Sequence, residues 1–188
     1  MSGGYYYLVA SLPLMHFGEA PKLASGPFLS RCATQVSAAH YAMLAGVELV
    51  QSQPQITGLA LLDRWHDHER ALRNALAVAR AQRLGIEPTA HLRHFRPHPA
   101  LAGFAQQLLA LDSPLAADEA LDRRRWQFLE ELAFGHYFDL EILVIYRLKV
   151  LLLERRARFD PAMGAARLDR WLTDASARSR ATFTPAGN

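Results

Sequence analysis

Apolar residues recur at helical spacing along most of the chain, and the pattern is clearest from about Leu61 to Leu84. Gly85 and then Pro88 end this segment, as such residues end many helices. The apolar residues of the stripe are Leu61, Trp65, Leu72, Leu76 and Ala79. The polar residues that mostly face away from it are Arg64, Asp67, Arg70, Arg73, Arg80 and Gln82. This period predicts an amphipathic helix with one face in a core, on which Glu69 and Arg73 form an i, i+4 pair of the favourable order.

Further helices are predicted on both sides of this segment. Ser37 is the expected N-cap of a helix at 38–49, and Ser113 with Pro114 opens a helical region that first covers about 115–132. Shorter helices are predicted at 28–34, 101–111 and 165–173. Residues 5–13 fit a buried extended stretch as well as a first helical turn, so both conformations stay open.

The last long helix, predicted at about 137–159, has a charge order that suits the helix dipole. Asp139 and Glu141 lie near its start, and arginines lie at its end. Between its ends it is apolar almost all round, which predicts that it forms the hydrophobic centre of the fold. Arg147 and Lys149 interrupt this apolar stretch, and a charge there needs a carboxylate partner, an outlet to the surface or a neighbouring protein.

Together these segments predict an all-α fold, a helical bundle of long antiparallel helices in a single domain at 1–188. A proline-rich connector at 91–99 could divide this domain into two lobes, at about 1–88 and 100–175. Residues 182–188 are expected to form a flexible tail.

A faint internal repeat accompanies the helices. Arg64-Trp65 with Glu69 recurs as Arg125-Trp126 with Glu130, and each copy lies in a long helix rich in leucine and arginine. The repeat suggests duplicated helical hairpins.

Composition and charge place the chain among soluble proteins. Of its 188 residues, 51% are hydrophobic, and 21 Lys and Arg stand against 18 Asp and Glu, a near balance that argues against nucleic acid as a partner. Cys32 is the single cysteine and cannot form an internal disulfide, and no secretory signal opens the sequence. The most apolar run, Leu140 to Leu153, is shorter than the roughly 20 residues that cross a bilayer. We therefore expect a cytoplasmic protein.

The histidines offer no metal site with a recognisable spacing. His66 and His68 are two positions apart on a helix and point in different directions, so they cannot share one ion. A second group, His91, His94 and His98, lies in the proline-rich connector. For this second group, solvated side chains are favoured. His136 stands beside Asp139 and Glu141, which also serve as N-terminal helix charges, and a structural role is favoured for these three residues.

Other catalytic motifs are missing as well. Arg31 beside Cys32 could lower the pKa of the thiol, but no motif surrounds this cysteine and a lone cysteine is more often a small buried hydrophobe. The sequence contains no glycine-rich nucleotide-binding loop. No catalytic residue, cofactor or metal is therefore predicted.

Clustered cations are the remaining signal, and they could bind an acidic partner or form a solvated rim. The candidate partner-binding residues are Arg123, Arg124, Arg125, Arg147, Lys149, Arg155 and Arg156.

Three blocks of the sequence resemble the bacterial DUF2764 family, and they span most of the chain in the same order. The blocks are Tyr5–Pro13, Arg64–Gly85 with its Arg64-Trp65 and Arg83-Leu84-Gly85, and Trp126–Glu141 with Phe134-Gly135-His136-Tyr137-Phe138-Asp139. Members of this family are typically encoded among V/A-type ATPase genes. The stretch from Asp139 to Arg155 is similar in style to the helices of the ATPase funnel subunit, which is known as C in bacteria and as d in eukaryotes. This all-helical funnel seats the central stalk on the rotor ring.

The resemblance implies a location and partners, and it supplies no catalytic residues. It implies a non-catalytic coupling or assembly subunit that binds the central stalk and the rotor ring. It implies no nucleic acid as a partner, and a location peripheral to the inner membrane through the partner subunits. The funnel subunit is built from repeated helical units and is longer than this chain, so the resemblance does not imply a complete funnel.

Two other functions remain as alternatives. The arginine clusters also fit a basic helical module that binds nucleic acid or an acidic membrane surface. The histidines and Cys32 would fit a metal- or cysteine-dependent enzyme.

Overall fold

The regular structure is helical throughout the part of the chain that a computed structural model describes, residues 4–51, 55–88, 92 and 98–158, and no strand occurs there. The predicted all-α class is confirmed. The helices are α1 (Tyr6–Ser11), α2 (Ser25–Ala33), α3 (Ala38–Ala45), α4 (Ala60–Leu84), α5 (Pro99–Leu109), α6 (Pro114–Ala133) and α7 (Leu140–Ala157).

Local capping chemistry sets several helix ends where the sequence predicts them. The Ser37 hydroxyl accepts from the backbone N–H of His40 at the start of α3, and the Ser113 hydroxyl accepts from that of Ala116 at the start of α6. Both satisfy helix donors that have no partner within the helix. Gly85, with a φ of 66°, closes α4 in the left-handed conformation that glycine adopts without a steric penalty.

Other helix limits differ from the predicted ones. Residues 6–11 form the helix α1, so the helical alternative is correct for the first segment. α2 begins at Ser25 rather than Phe28 and takes Pro27 into its first turn, where the missing N–H of proline costs no hydrogen bond. α7 begins at Leu140 rather than Tyr137, because Asp139 accepts from the Ile142 N–H and caps the helix.

A large apolar core joins both ends of the described chain. Its buried residues come from α1, α2, α3, the first half of α4, the second half of α6, and α7, with Leu23 and Val47 from the connections. The largest side chains without exposure include Trp65, Phe28, Leu143 and Leu148. α7 contributes more of these residues than the shorter helices, as the apolar pattern predicts.

A second, smaller apolar cluster lies further along α4 and α6. Leu76 and Ala79 of α4 pack there with Ala105 and Leu108 of α5, and residues from the first half of α6 cover them. α4 and α6 therefore contribute to both clusters. The predicted lobes at 1–88 and 100–175 stay a prediction, and most of the 91–99 connector lies outside the described residues.

Residues up to Leu153 form one compact unit, and Glu154 begins a second, of which the structure describes 154–158. The helix predicted at 165–173 and the tail predicted at 182–188 lie outside the described residues. Within the described ranges, no helix has the length and apolar character that crossing a membrane requires.

Candidate functional site

Five large aromatic side chains are exposed on two segments that are distant in sequence. We call them the aromatic surface: Tyr6, Tyr7, Phe134, Tyr137 and Phe138. The Tyr6 ring contacts both segments, with centroid distances of 4.8 Å to Phe138 and 5.5 Å to Tyr7. Tyr7 is 84% exposed and Phe134 is 88% exposed. Exposed aromatic residues on two segments joined by ring contacts of this kind are typical of protein interaction surfaces.

Backbone and side-chain hydrogen bonds hold the first segment against the second. The Tyr5 N–H donates to the Phe138 carbonyl at 2.6 Å. The Tyr5 hydroxyl and the His40 Nδ1 form a hydrogen bond, and the Tyr146 hydroxyl donates to the Pro13 carbonyl at 3.1 Å. These contacts tie the residues that flank α1 to α3, to the turn before α7 and to α7 itself, so the aromatic surface is held in place before any partner binds.

The second segment is a tight turn between α6 and α7. Gly135 has a φ of 86°, a conformation that favours glycine. The His136 N–H donates to the Ala133 carbonyl at 3.0 Å, and its Nδ1 lies 2.6 Å from an Asp139 carboxylate oxygen. The other Asp139 oxygen caps α7 at the Ile142 N–H. The turn is thus fixed by its own hydrogen bonds, and its three aromatic rings project from it.

The same turn holds a group of residue types that can bind a metal. Ligand atoms of His136, Asp139 and Glu141 lie within 4.8 Å of one another, and all three residues are half-buried. Both oxygens of Asp139 are already engaged: Oδ1 accepts from the Ile142 N–H, and Oδ2 shares a hydrogen bond with His136 Nδ1. The arrangement favours the structural role that the sequence predicts for these residues.

The three consecutive arginines of α6 have different environments. Arg123 pairs with Glu119 at 3.1 Å and covers the Phe17 ring, and Arg124 pairs with Glu131 at 3.4 Å. Arg125 is buried, and its guanidinium binds inside the protein. Binding of a partner by these arginines stays a prediction. Arg123 is exposed and can reach a partner, whereas Arg125 is buried and cannot do so without a rearrangement.

Arg125 ties α6 to α4 through two buried carboxylates. Its Nε and Nη2 donate to the two oxygens of Glu69 at 2.6 and 2.9 Å, and its Nη1 donates to Asp122 at 2.9 Å. Burial alone would lower the pKa of Arg125, but hydrogen bonds and charge from both carboxylates raise it above its ordinary value. Glu69 is therefore not the helical partner of Arg73, as the i, i+4 spacing predicted, because the interior arginine takes both of its oxygens.

The two charges inside the apolar part of α7 are placed differently. The Lys149 ammonium lies 2.6 Å from a Glu130 oxygen and 4.8 Å from the Trp126 ring centroid, so it has the carboxylate partner that its position requires. Arg147 is 7% exposed. Arg155 and Arg156, in the second unit, are half-buried in the last turn of α7. The partner-binding role of these four residues also stays a prediction.

His66 and His68 of α4 contact different neighbours, as helical geometry predicts. His66 Nε2 lies 3.3 Å from the Glu48 carbonyl oxygen. The His68 ring stacks on Phe128 with centroids 3.8 Å apart. Burial, followed by the charge of Arg124, lowers the pKa of His68 to about 4, so its ring is neutral at physiological pH.

Cys32 is fully buried in the large core. Burial raises the pKa of its thiol to about 11, although the nearby Arg147 charge acts in the opposite direction. The idea that Arg31 lowers this pKa is wrong, since loss of solvent dominates. Cys32 therefore behaves as the small buried hydrophobe favoured by the sequence.

A cavity of about 250 Å³ beside α4 was not predicted from the sequence. Arg70, Arg73 and Arg80 line it, together with the buried polar residues His66 and Asn74. In the sequence, only the spacing of these arginines on one helix face indicates such a site, and the same spacing is typical of an ordinary solvated helix face. Val50 and Gln51, which lie outside α4 in the sequence, also line the cavity.

The chain matches no family model, no curated protein and no solved structure. The geometry described above therefore carries the functional argument, together with the sequence blocks that resemble a known family.

Proposed function

We propose that this protein is a non-catalytic accessory or coupling subunit of a bacterial V/A-type rotary ATPase, and that it docks through the aromatic surface. The proposal includes a relation to the helical fold of the ATPase funnel subunit, and a location on the cytoplasmic side, peripheral to the inner membrane through its partners. The central stalk and the rotor ring are the proposed partners.

The position of the aromatic surface is the observation that carries this proposal. Its two segments lie in the first and last blocks that resemble the DUF2764 family, so the resemblance includes exposed residues as well as core residues. A core needs apolar residues inside, but it does not need Phe134 or Tyr7 in solvent. Exposed aromatic residues on a fixed turn are instead suited to bind a partner with little loss of conformational entropy.

Capture from the native host tests the proposal. The full chain carries a C-terminal tag, since the first residues belong to the aromatic surface, and the captured proteins are identified by mass spectrometry. We expect central-stalk or rotor subunits of the ATPase. The double variant Tyr7→Ser with Phe134→Ser should reduce their recovery roughly tenfold or more, since central aromatic residues dominate interface energies.

A matched variant separates docking from general loss of apolar surface. Ile56 and Leu111 are also exposed apolar residues but lie outside the aromatic surface, and Ile56→Ser with Leu111→Ser should leave recovery unchanged. Absence of ATPase subunits from the wild-type capture, together with unchanged ATP hydrolysis and ion pumping in a deletion strain, would refute the proposal.

A further inference from the structure

The arginines that line the cavity beside α4 lie on one stripe of the helix. Spacings of three or four residues connect the members of the stripe, which are His66, Arg70, Arg73, Ala77 and Arg80. With a rise of about 1.5 Å per residue, the backbone positions of Arg70 and Arg80 are about 15 Å apart. The flexible side chains of such a stripe can converge on one anionic ligand in the cavity.

The charge in this cavity is available for a ligand. Arg73 and Arg80 are exposed and form no ion pair with any other residue that the structure describes. Arg70 pairs with Asp67, whose side chain is 71% exposed, and a pair so open to solvent contributes little. The Glu69 carboxylate also lines the cavity, but Arg125 neutralises it with two hydrogen bonds.

His66 is a buried polar residue in the wall of the cavity and is 6% exposed. Its Nδ1 is buried without a hydrogen-bond partner among the described residues. The other ring nitrogen lies against the Glu48 carbonyl oxygen, to which it can only donate, so Nδ1 is an acceptor.

We propose that this cavity binds a small molecule that carries two or more linked phosphate groups. Arginine guanidinium groups bind phosphate oxygens in pairs of parallel hydrogen bonds, and three of them along one stripe match an anion with several phosphates in a row. This binding is independent of the proposed ATPase association, because none of its residues belongs to the aromatic surface.

Calorimetric titration of the full chain with inorganic pyrophosphate tests the proposal, with inorganic phosphate as the comparison. Pyrophosphate should bind more tightly than phosphate, and added salt should weaken the binding. Arg73→Gln and Arg80→Gln should each weaken pyrophosphate binding roughly tenfold or more, because each removes charge-assisted hydrogen bonds. Circular dichroism and thermal unfolding of each variant verify that it folds.

Arg64→Gln is the matched control, since it removes the same charge from the same helix. Arg64 is nine residues before Arg73, which places it about 180° around α4, and its replacement should leave the affinity unchanged. If pyrophosphate does not bind, or if Arg64→Gln weakens it as much as Arg73→Gln does, the cavity is not a phosphate site.

A second arm identifies the source of the phosphate. Phosphatidylcholine vesicles with and without diacylglycerol pyrophosphate, whose headgroup carries two linked phosphates, are sedimented with the protein. Capture that needs diacylglycerol pyrophosphate, and that both pyrophosphate and Arg73→Gln diminish, assigns the site to a lipid headgroup. Lack of capture, with pyrophosphate bound in solution, assigns it to a free phosphate compound. Capture that neither pyrophosphate nor Arg73→Gln affects counts against the proposal.

Discussion

Arg125 and Arg124 are adjacent in the sequence, yet their environments require different chemistry. Arg124 lies at the surface beside Glu131, where water screens the pair. Arg125 has a side chain that is 6% exposed and is surrounded by Glu69 and Asp122. An interior charge is tolerated only when its hydrogen bonds are satisfied, and the carboxylates are in turn tolerated because Arg125 lies between them.

Arg125→Met should therefore destabilise the protein by about 3–5 kcal/mol, because it leaves two carboxylates buried without their cation. Methionine retains most of the apolar volume of the arginine stem, so the loss of stability reflects the removal of the positive charge. Arg124→Met should change the free energy of unfolding by less than about 1 kcal/mol. Urea unfolding at neutral pH measures both values, and equal stability of the two variants would contradict a buried ionic link between α4 and α6.

Between α6 and α7, the direction of the chain depends on one glycine. Gly135 adopts the left-handed conformation at the end of α6, and Asp139 then caps α7. The three aromatic residues of this turn are exposed because the turn is closed by its own hydrogen bonds. The geometry of a single connection thus sets both the start of α7 and the position of the aromatic surface.

Gly135→Ala should cost about 1–2 kcal/mol, because a side chain disfavours the left-handed conformation even though a Cβ there meets no other atom. Gly103, in the exposed interior of α5, provides the opposite case. Gly103→Ala should stabilise the protein by roughly 0.5–1 kcal/mol, since alanine loses less backbone entropy in a helix. Thermal unfolding compares the two, and a shift of the same sign in both variants would show that φ does not govern the effect.

Features with local causes could be predicted from the sequence, and features with distant causes could not. Ser37, Gly85 and Ser113 act on backbone groups within four positions of themselves, so the sequence shows both partners. The Glu69–Arg125 pair joins positions 56 apart, and no periodicity connects them. Arg73 in the cavity stripe looks like any solvated arginine until the segment at Val50 is seen beside it.

At the scale of the whole molecule, α4 and α6 contribute to both apolar clusters. The Glu69–Arg125 ion pair, which joins these two helices, lies at the boundary between the clusters. Glu69 follows Trp65 of the large core and precedes Leu76 of the small one. His68 stacks on Phe128 across the same pair of helices. Protonation of this histidine therefore acts on a contact between α4 and α6 at the edge of the large core.

Stability should fall as the pH is lowered from about 6.5 to about 4. The pKa of His68 is about 4 in the folded protein against 6.5 as its ordinary value, so the unfolded chain binds a proton first and acidification favours unfolding. With allowance for solvent screening of a half-buried ring, His68 should contribute a loss of about 1–2 kcal/mol over this range. Above pH 7 the ring is neutral in both states and contributes no pH dependence.

His68→Phe isolates this contribution, because phenylalanine keeps the stack on Phe128 but cannot titrate. The free energy of unfolding of the variant should depend less steeply on pH between 4 and 6.5 than that of the wild type. The pKa of His66 is also lowered by burial and remains in both proteins, so it cancels in the comparison. Parallel pH profiles for the two proteins would contradict the assignment to His68.

The bond between the Tyr5 backbone and Phe138 also has a consequence for biosynthesis. Tyr6 and Tyr7 leave the ribosome before Phe138 and the α7 residues that hold the first segment in place. The aromatic surface therefore cannot form until α7 has emerged. A nascent chain that stops within α6 cannot present it, so any protein that recognises this surface selects molecules that include α7 over molecules truncated before it.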